Sequence, residues 1–318
     1  MADTILILGN GFDLSMGRKT SYRDFIEFAN NLFLERIDHL QSFLNSNNID
    51  IEKYKDNLYL RFINENRSTL GENWSNLEIM ISNLAEAIEY FKQDPDILYS
   101  KGKDYLKVIY TKEFREFLLH QENFTSKFFI SEIFNEFFNV LEWNKLERKV
   151  ALSKLNEKFI YHLELLTDLL EVYLSYRDYL DFEIEKIAPV ETALDAINII
   201  SESSVISFNY THTPYELFKI PIENTHYIHG EIDLNRSKSA VNTMVFGIED
   251  KGNDVNSDLI PYQKYYQRIV KETGSEYLDF LKPRHTNDLY GGFKKKILLC
   301  LDTRLIHLIK RYLKNVLK

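Results

Sequence analysis

The sequence predicts an α/β protein, a Rossmann-like, doubly wound and mostly parallel sheet with a large all-helical insertion. Three observations lead there. Apolar runs of strand length sit near both ends of the chain. The first of them, Thr4-Ile5-Leu6-Ile7-Leu8, breaks at once into Gly9-Asn10-Gly11. Between Lys103 and Ala188 there is neither glycine nor proline. Strands separated by helices pair in parallel, so the uninterrupted helical stretch reads as an insertion into a sheet domain. Residues 1–30 and 200–318 are expected to form the sheet core and residues 31–199 the helical insertion.

Taken in order, the first strand delivers Gly9-Asn10-Gly11-Phe12-Asp13-Leu14 to the sheet edge. Gly17 follows a turn later, and a helix starts at Thr20-Ser21-Tyr22. Open α/β sheets hold phosphates and dinucleotides at such a loop. The spacing is Gly-x-Gly-x5-Gly rather than Gly-x-Gly-x-x-Gly, and no P-loop Lys-Ser/Thr is present, so a plain tight turn reads equally well. Asn45 to Asn48 read as a loop. Helical stripes follow: Trp74, Leu77, Ile81, Leu84 and Ile88, then Leu152, Leu155, Phe159, Leu163, Leu166, Leu170 and Tyr173, stepping by three or four. Downstream the period becomes β-like at Val205–Phe208, His226–His229 and Met244–Phe246, with a last strand from Lys296 to Leu301. The terminal stretch sets Leu305, Ile309, Tyr312 and Val316 on one helical face with lysines elsewhere, as in a helix packed on the sheet.

The bulk properties narrow the function. A formal charge of −9 argues against general nucleic-acid binding, which needs a basic surface to displace counterions. The single cysteine, Cys300, lies in an apolar run, so no internal disulfide forms and a buried thiol in a reducing compartment is expected. Neither a signal peptide nor a transmembrane segment is readable, and a cytoplasmic location is expected.

Two strand-end motifs carry candidate chemistry. Phe208-Asn209-Tyr210-Thr211 puts Asn209 at a strand tip, ahead of a helix start with Thr213 as N-cap, Pro214 at the first position and Glu216 closing a capping box. An asparagine there can hold a ribose or orient a water, or satisfy its own turn. His229-Gly230 ends the next strand, where a histidine can serve as a base and a glycine admits close approach. Asp13 suits a sugar hydroxyl or an Asx turn, and Glu78 sits beside the apolar face of its helix. No pair of histidines has metal-site spacing, and no metal is expected.

Together these segments resemble the bacteriophage abortive infection AbiH family. The resemblance runs through Ile7-Leu8-Gly9-Asn10-Gly11-Phe12-Asp13-Leu14, Thr20-Ser21-Tyr22-x-Asp24-Phe25, Trp74-Ser75-Asn76-Leu77-Glu78, Phe208–Thr211, His229-Gly230 and Phe246-Gly247-Ile248. It implies antiphage defence in bacteria. The same order of motifs is similar to sirtuin-like NAD-binding domains. That similarity implies NAD or a related nucleotide as substrate, with Gly9, Asn10 and Gly11 at the pyrophosphate, Asn209 at the nicotinamide ribose or the attacking water, and His229 acting on a ribose hydroxyl. Phe12, Asp13, Thr20, Gly230 and Gly247 join the implied ligand set, with Glu78 behind it. One cysteine is too few for the four-cysteine zinc module of the deacylases, which leaves N-glycosidic hydrolysis as the coherent activity. The family's Gly-His-Ser-Leu-like turn after the last strand is replaced here by Leu299-Cys300-Leu301-Asp302-Thr303-Arg304. The expected function is nucleotide cleavage on a phage-derived trigger. The alternative is a non-catalytic nucleotide sensor whose helical block engages a phage component or forms a homo-oligomer.

Overall fold

A computed structural model describes residues 3–34, 37–65, 78, 81–82, 145–197, 199–248, 260–282 and 296–300. In chain order, β1 (Asp3–Leu8) is followed by α1 (Asn10–Ser15), α2 (Tyr22–Asn31), α3 (Leu40–Ser46) and α4 (Leu58–Glu65). The long α5 (Lys145–Asp178) precedes β2 (Ser204–Ser207), α6 (Thr213–Phe218) and β3 (Thr225–Tyr227). Then come α7 (Lys264–Val270), α8 (Tyr277–Leu281) and β4 (Lys296–Cys300).

The chain divides into two compact units. One comprises residues 1–50, 170–245 and 268–318, the other residues 51–169 and 246–267. The first holds a four-stranded sheet in the order β3-β2-β1-β4, and every pairing is parallel. β1 is apolar at successive positions because both sheet faces are covered. Leu6 and Leu8 point into a cluster with Phe12, Met16, Val205, Leu217 and Phe218, while Ile5 and Ile7 face Ile206 and Ile228. Cys300 packs on the Ile5 and Ile7 side but is half-buried rather than enclosed.

Local chemistry explains the helix ends. Ser21 caps α2 by accepting from the Asp24 N–H, and the Asp24 carboxylate accepts from the Ser21 N–H at 3.0 Å. The seven-residue stripe on α5 is buried at Leu155, Phe159, Leu163, Leu166, Leu170 and Tyr173, and the side chain of Leu152 lies outside the described residues. Leu165, Leu169, Val172, Leu174 and Tyr176 are buried too, so the helix is enclosed on more than one face.

In the second unit Asn57 caps α4, its Oδ1 accepting from the N–H groups of Tyr59 and Leu60, while its Nδ2 donates to the His162 carbonyl at 2.7 Å. Tyr262 donates to Asn156 Oδ1 at 2.7 Å, and Lys264 donates to Glu78 at 2.7 Å.

Several expectations need correction. Gly9-Asn10-Gly11 does not form an open loop: Gly9 is the extended N-cap of α1, and the Phe12 N–H closes the first turn on the Gly9 carbonyl at 2.8 Å. Met244–Phe246 is not a strand. The Val245 N–H donates to the His229 carbonyl and its own carbonyl accepts from the Tyr210 hydroxyl, so a loop and a side chain replace a ladder partner. Asn45 lies inside α3 rather than in a loop. Thr213 is the first residue of α6 and His212 its N-cap, because Arg18 takes the Thr213 hydroxyl. Of the stripe from Trp74 to Ile88 only Ile81 is described, and it is buried. The run Leu301–Arg304 and the terminal helix fall outside the described residues.

Candidate functional site

Three of the expected elements leave the carboxyl ends of neighbouring parallel strands, the usual ligand edge of an open α/β sheet. Gly9 follows β1, Asn209 follows β2 and His229 follows β3. The edge is stitched by short bonds. Phe208 N–H donates to the Leu8 carbonyl at 2.8 Å, and Ile228 N–H donates to the Ser207 carbonyl at 2.8 Å. The Ser207 hydroxyl accepts from the Asn209 N–H at 3.1 Å, which sets the Asn209 backbone. Asn209 Nδ2 then donates to the Gly9 carbonyl at 2.9 Å, across 200 residues of sequence. Its Oδ1 has no partner among the described residues. Asn10 is held in turn, accepting from the Thr20 hydroxyl at 2.9 Å.

His229 is buried, with its ring edge-on to Phe208 at 5.7 Å between centroids. Gly230 turns there with φ of +76°, and its N–H closes on the Tyr227 carbonyl. Phe12 serves the core, packing on Phe218. Gly247 and Glu78 belong to the second unit, where Gly247 sits against the Tyr262 backbone. Asn209 is thus bonded to Gly9 and Thr20 to the next residue, Asn10, whereas Asp13 bonds to Thr211 and His229 shares the edge only through strand order.

Beneath this edge lies a buried ionic cluster that sequence reasoning missed. The Arg18 side chain is wholly buried. Its Nε donates to Asp181 at 2.8 Å, one terminal nitrogen donates to Thr213 at 2.5 Å and the other meets Asp178. Asp13 lies 3.8 Å from the guanidinium and accepts from the Thr211 hydroxyl at 2.5 Å. Arg18 is drawn from the turn after α1, where a basic residue between two helices reads as solvated. Only the fold brings in its partners, from the end of α5 and from residues after β2.

Burial pushes the Asp13 carboxyl above the ordinary carboxylate range, opposed by Arg18 and by the Thr211 and Thr213 hydroxyls. A carboxyl raised in the folded state stabilises fully below its unfolded pKa, and the contribution disappears as pH rises through the folded value. Asp13→Asn should therefore flatten the fall in stability above the ordinary carboxylate range, which urea denaturation at a series of pH values will check.

The cluster continues into His212. Its Nε2 lies 2.9 Å from Glu231 and its Nδ1 lies 3.7 Å from Asp178. Burial works against the imidazolium, but the Glu231 hydrogen bond and the Asp178 and Glu231 charges outweigh it and raise the His212 pKa. Burial alone would raise Glu231, but the His212 and Lys238 contacts bring it below the ordinary range. His212 and Asp178 line a cavity of about 550 Å3 that also takes in Phe43, Tyr179, Phe182 and Asp233. Among the described residues lining it, none of Gly9, Asn10, Asn209 and His229 appears.

The chain matches the family described as bacteriophage abortive infection AbiH over residues 5–290 of its 318. It belongs to that family. No curated protein and no solved structure matches it significantly. The AbiH match takes in most of β1, all of β2 and β3, and with them Gly9, Asn209 and His229, and it stops short of β4. Membership gives this AbiH protein a place in abortive infection of bacteriophage-challenged cells. Among its described residues no helix is long and apolar enough to cross a membrane, and no three His, Cys, Asp or Glu side chains gather as a metal site.

Proposed function

We propose that this AbiH protein is a defence enzyme that binds NAD or a related nucleotide at the carboxyl edge of β1, β2 and β3 and hydrolyses its N-glycosidic bond. The observation that carries the reading is the hydrogen bond of 2.9 Å from Asn209 to the Gly9 carbonyl, which unites the glycine-rich segment with the Asn-Tyr motif at adjacent strand ends. The order β3-β2-β1-β4 supports a doubly wound, Rossmann-like assignment, because the chain moves outward from β1 in one direction and returns to its other edge for β4.

In the reaction the bond between ribose C1′ and the nicotinamide nitrogen breaks with both electrons going to nitrogen. A water oxygen bonds to C1′ and its proton passes to a base. The transition state is oxocarbenium-like and is stabilised by a ribose clamp and an oriented water. Asn209 offers Oδ1 for the water or a ribose hydroxyl, and His229 is the base on the ribose. Gly9, Asn10 and Gly11 meet the pyrophosphate, with Phe12, Asp13, Thr20 and Gly230 shaping the segment around them. A second reading, nucleotide sensing without turnover, draws support from Asn209, whose amide nitrogen is already engaged by the protein.

Cells expressing the wild type should lose NAD on phage challenge, whereas His229→Ala and Asn209→Ala cells should keep it. Retention of NAD in all three, with the purified wild type still binding nucleotide, would move the assignment to the sensor.

A further inference from the structure

We propose that the cavity beside His212 is a second binding site, for an organic cation bearing an alkylammonium or guanidinium group. Its volume of about 550 Å3 is that of a small-molecule site. The wall combines three aromatic rings, Phe43, Tyr179 and Phe182, with carboxylates, and among the described residues that line it there is no lysine or arginine. That combination suits a cation with an apolar body, since ring faces and carboxylates both attract positive charge while the rings also take up the hydrocarbon.

The carboxylates differ in availability. Asp178 is held by Arg18, and Asp233 accepts from the Ser237 hydroxyl and the Lys238 N–H. The Glu183 and Glu216 carboxylates are in no ion pair among the described residues, the Lys219 ammonium donating to the Glu216 backbone carbonyl at 2.8 Å instead, so their charge remains for a ligand. Phe182 already carries the Arg18 guanidinium at 4.7 Å from its ring centroid, which shows the type of contact this wall makes. Phe43 and Tyr179 pack together at 5.6 Å and supply the remaining aromatic surface. His212 adds no free positive charge, because Glu231 and Asp178 flank its two ring nitrogens.

A polyphosphate is a poor occupant of the same wall, since every ionised group there other than His212 would repel it. The site is therefore chemically distinct from the nucleotide edge. The cation has two sources, a free polyamine or a basic side chain of a protein, and both present the same group.

Calorimetric titration of the purified full chain with spermidine, with an end-capped arginine tripeptide and with inorganic pyrophosphate tests the assignment. At least one of the two cations should bind, with affinity falling as salt is raised, and pyrophosphate should not compete. Binding of spermidine alone assigns a polyamine, and binding of the tripeptide alone assigns a protein side chain. Glu183→Gln with Glu216→Gln should weaken binding by about tenfold, and Tyr179→Leu by a comparable factor. Both glutamates are at least partly exposed, so the double variant should melt as the wild type does. Absence of binding by either cation, or binding unchanged in both variants, would overturn the site.

Discussion

Arg18→Met should destabilise the protein by about 3 kcal/mol, the cost of removing the central member of a buried ionic group, after which Asp181 keeps only Arg177 and Asp178 only His212 as a basic partner among the described residues. The side chain has no solvent exposure, and its nitrogens hold Asp181 and Asp178 as well as the Thr213 hydroxyl. Methionine fills similar space, so the loss will come from carboxylates stranded in a poorly solvated site rather than from a void. Arg18→Lys should fall between the two. It keeps one charge but cannot present the planar fork that reaches three acceptors at once. Urea denaturation monitored by far-ultraviolet circular dichroism measures all three proteins. A loss below about 1 kcal/mol for Arg18→Met would mean that water solvates the carboxylates as soon as the arginine is gone.

The second large effect is at Gly230. Its φ of +76° lies where a side chain is strained, and a Cβ there would strike the Thr243 carbonyl and sit 2.9 Å from the Met244 nitrogen. Both obstacles are backbone, so neither rotates away. Gly230→Ala should cost about 3 kcal/mol or more, from a left-handed backbone conformation combined with overpacking. Gly17→Ala is the matched control. It has the same φ of +76° but nothing within 4 Å of the added methyl, so only the conformational part applies, about 1–2 kcal/mol. Thermal unfolding of the pair separates conformation from collision. Equal losses would show that the Thr243 segment moves aside.

These residues also show where the sequence was readable. β1, β2, β3 and β4 fall within about two residues of the runs that mark them; in β1 burial on both sheet faces demands continuous Ile and Leu, whereas β3 is Thr225-His226-Tyr227 and β4 leaves Ile297 and Leu298 exposed. The helix start at Thr20-Ser21-Tyr22 was visible as well, and it holds because the Ser21 cap is local, its partner Asp24 being only three residues away. What could not be read depends on distant partners. Thr213 looks like an N-cap in isolation and becomes an acceptor for an arginine 195 residues earlier. Met244–Phe246 has strand composition, yet the chain supplies a loop carbonyl and a tyrosine hydroxyl in place of a neighbouring strand. The glycine-rich segment was placed correctly but not shaped correctly, because the penalty for Gly11 in a helix is offset by the burial of Phe12. The cavity wall left no local signature, since Phe43, Tyr179, His212 and Asp233 are separated by tens of residues.

The position of β1 has a consequence for biogenesis. It is an inner strand of the sheet, yet it is the first strand to be translated, and its two neighbours pair through Val205 and Leu299. At ribosomal rates of about 5–20 residues per second, the first partner emerges about 10–40 s later and the second later still. During that interval a strand of isoleucine and leucine waits with both hydrogen-bonding edges open, the state most prone to pair with another nascent chain. Folding of this sheet is therefore tied to translation through β4, and a host that halts translation before Lys296 would lose the native sheet rather than accumulate a stable fragment that ends earlier.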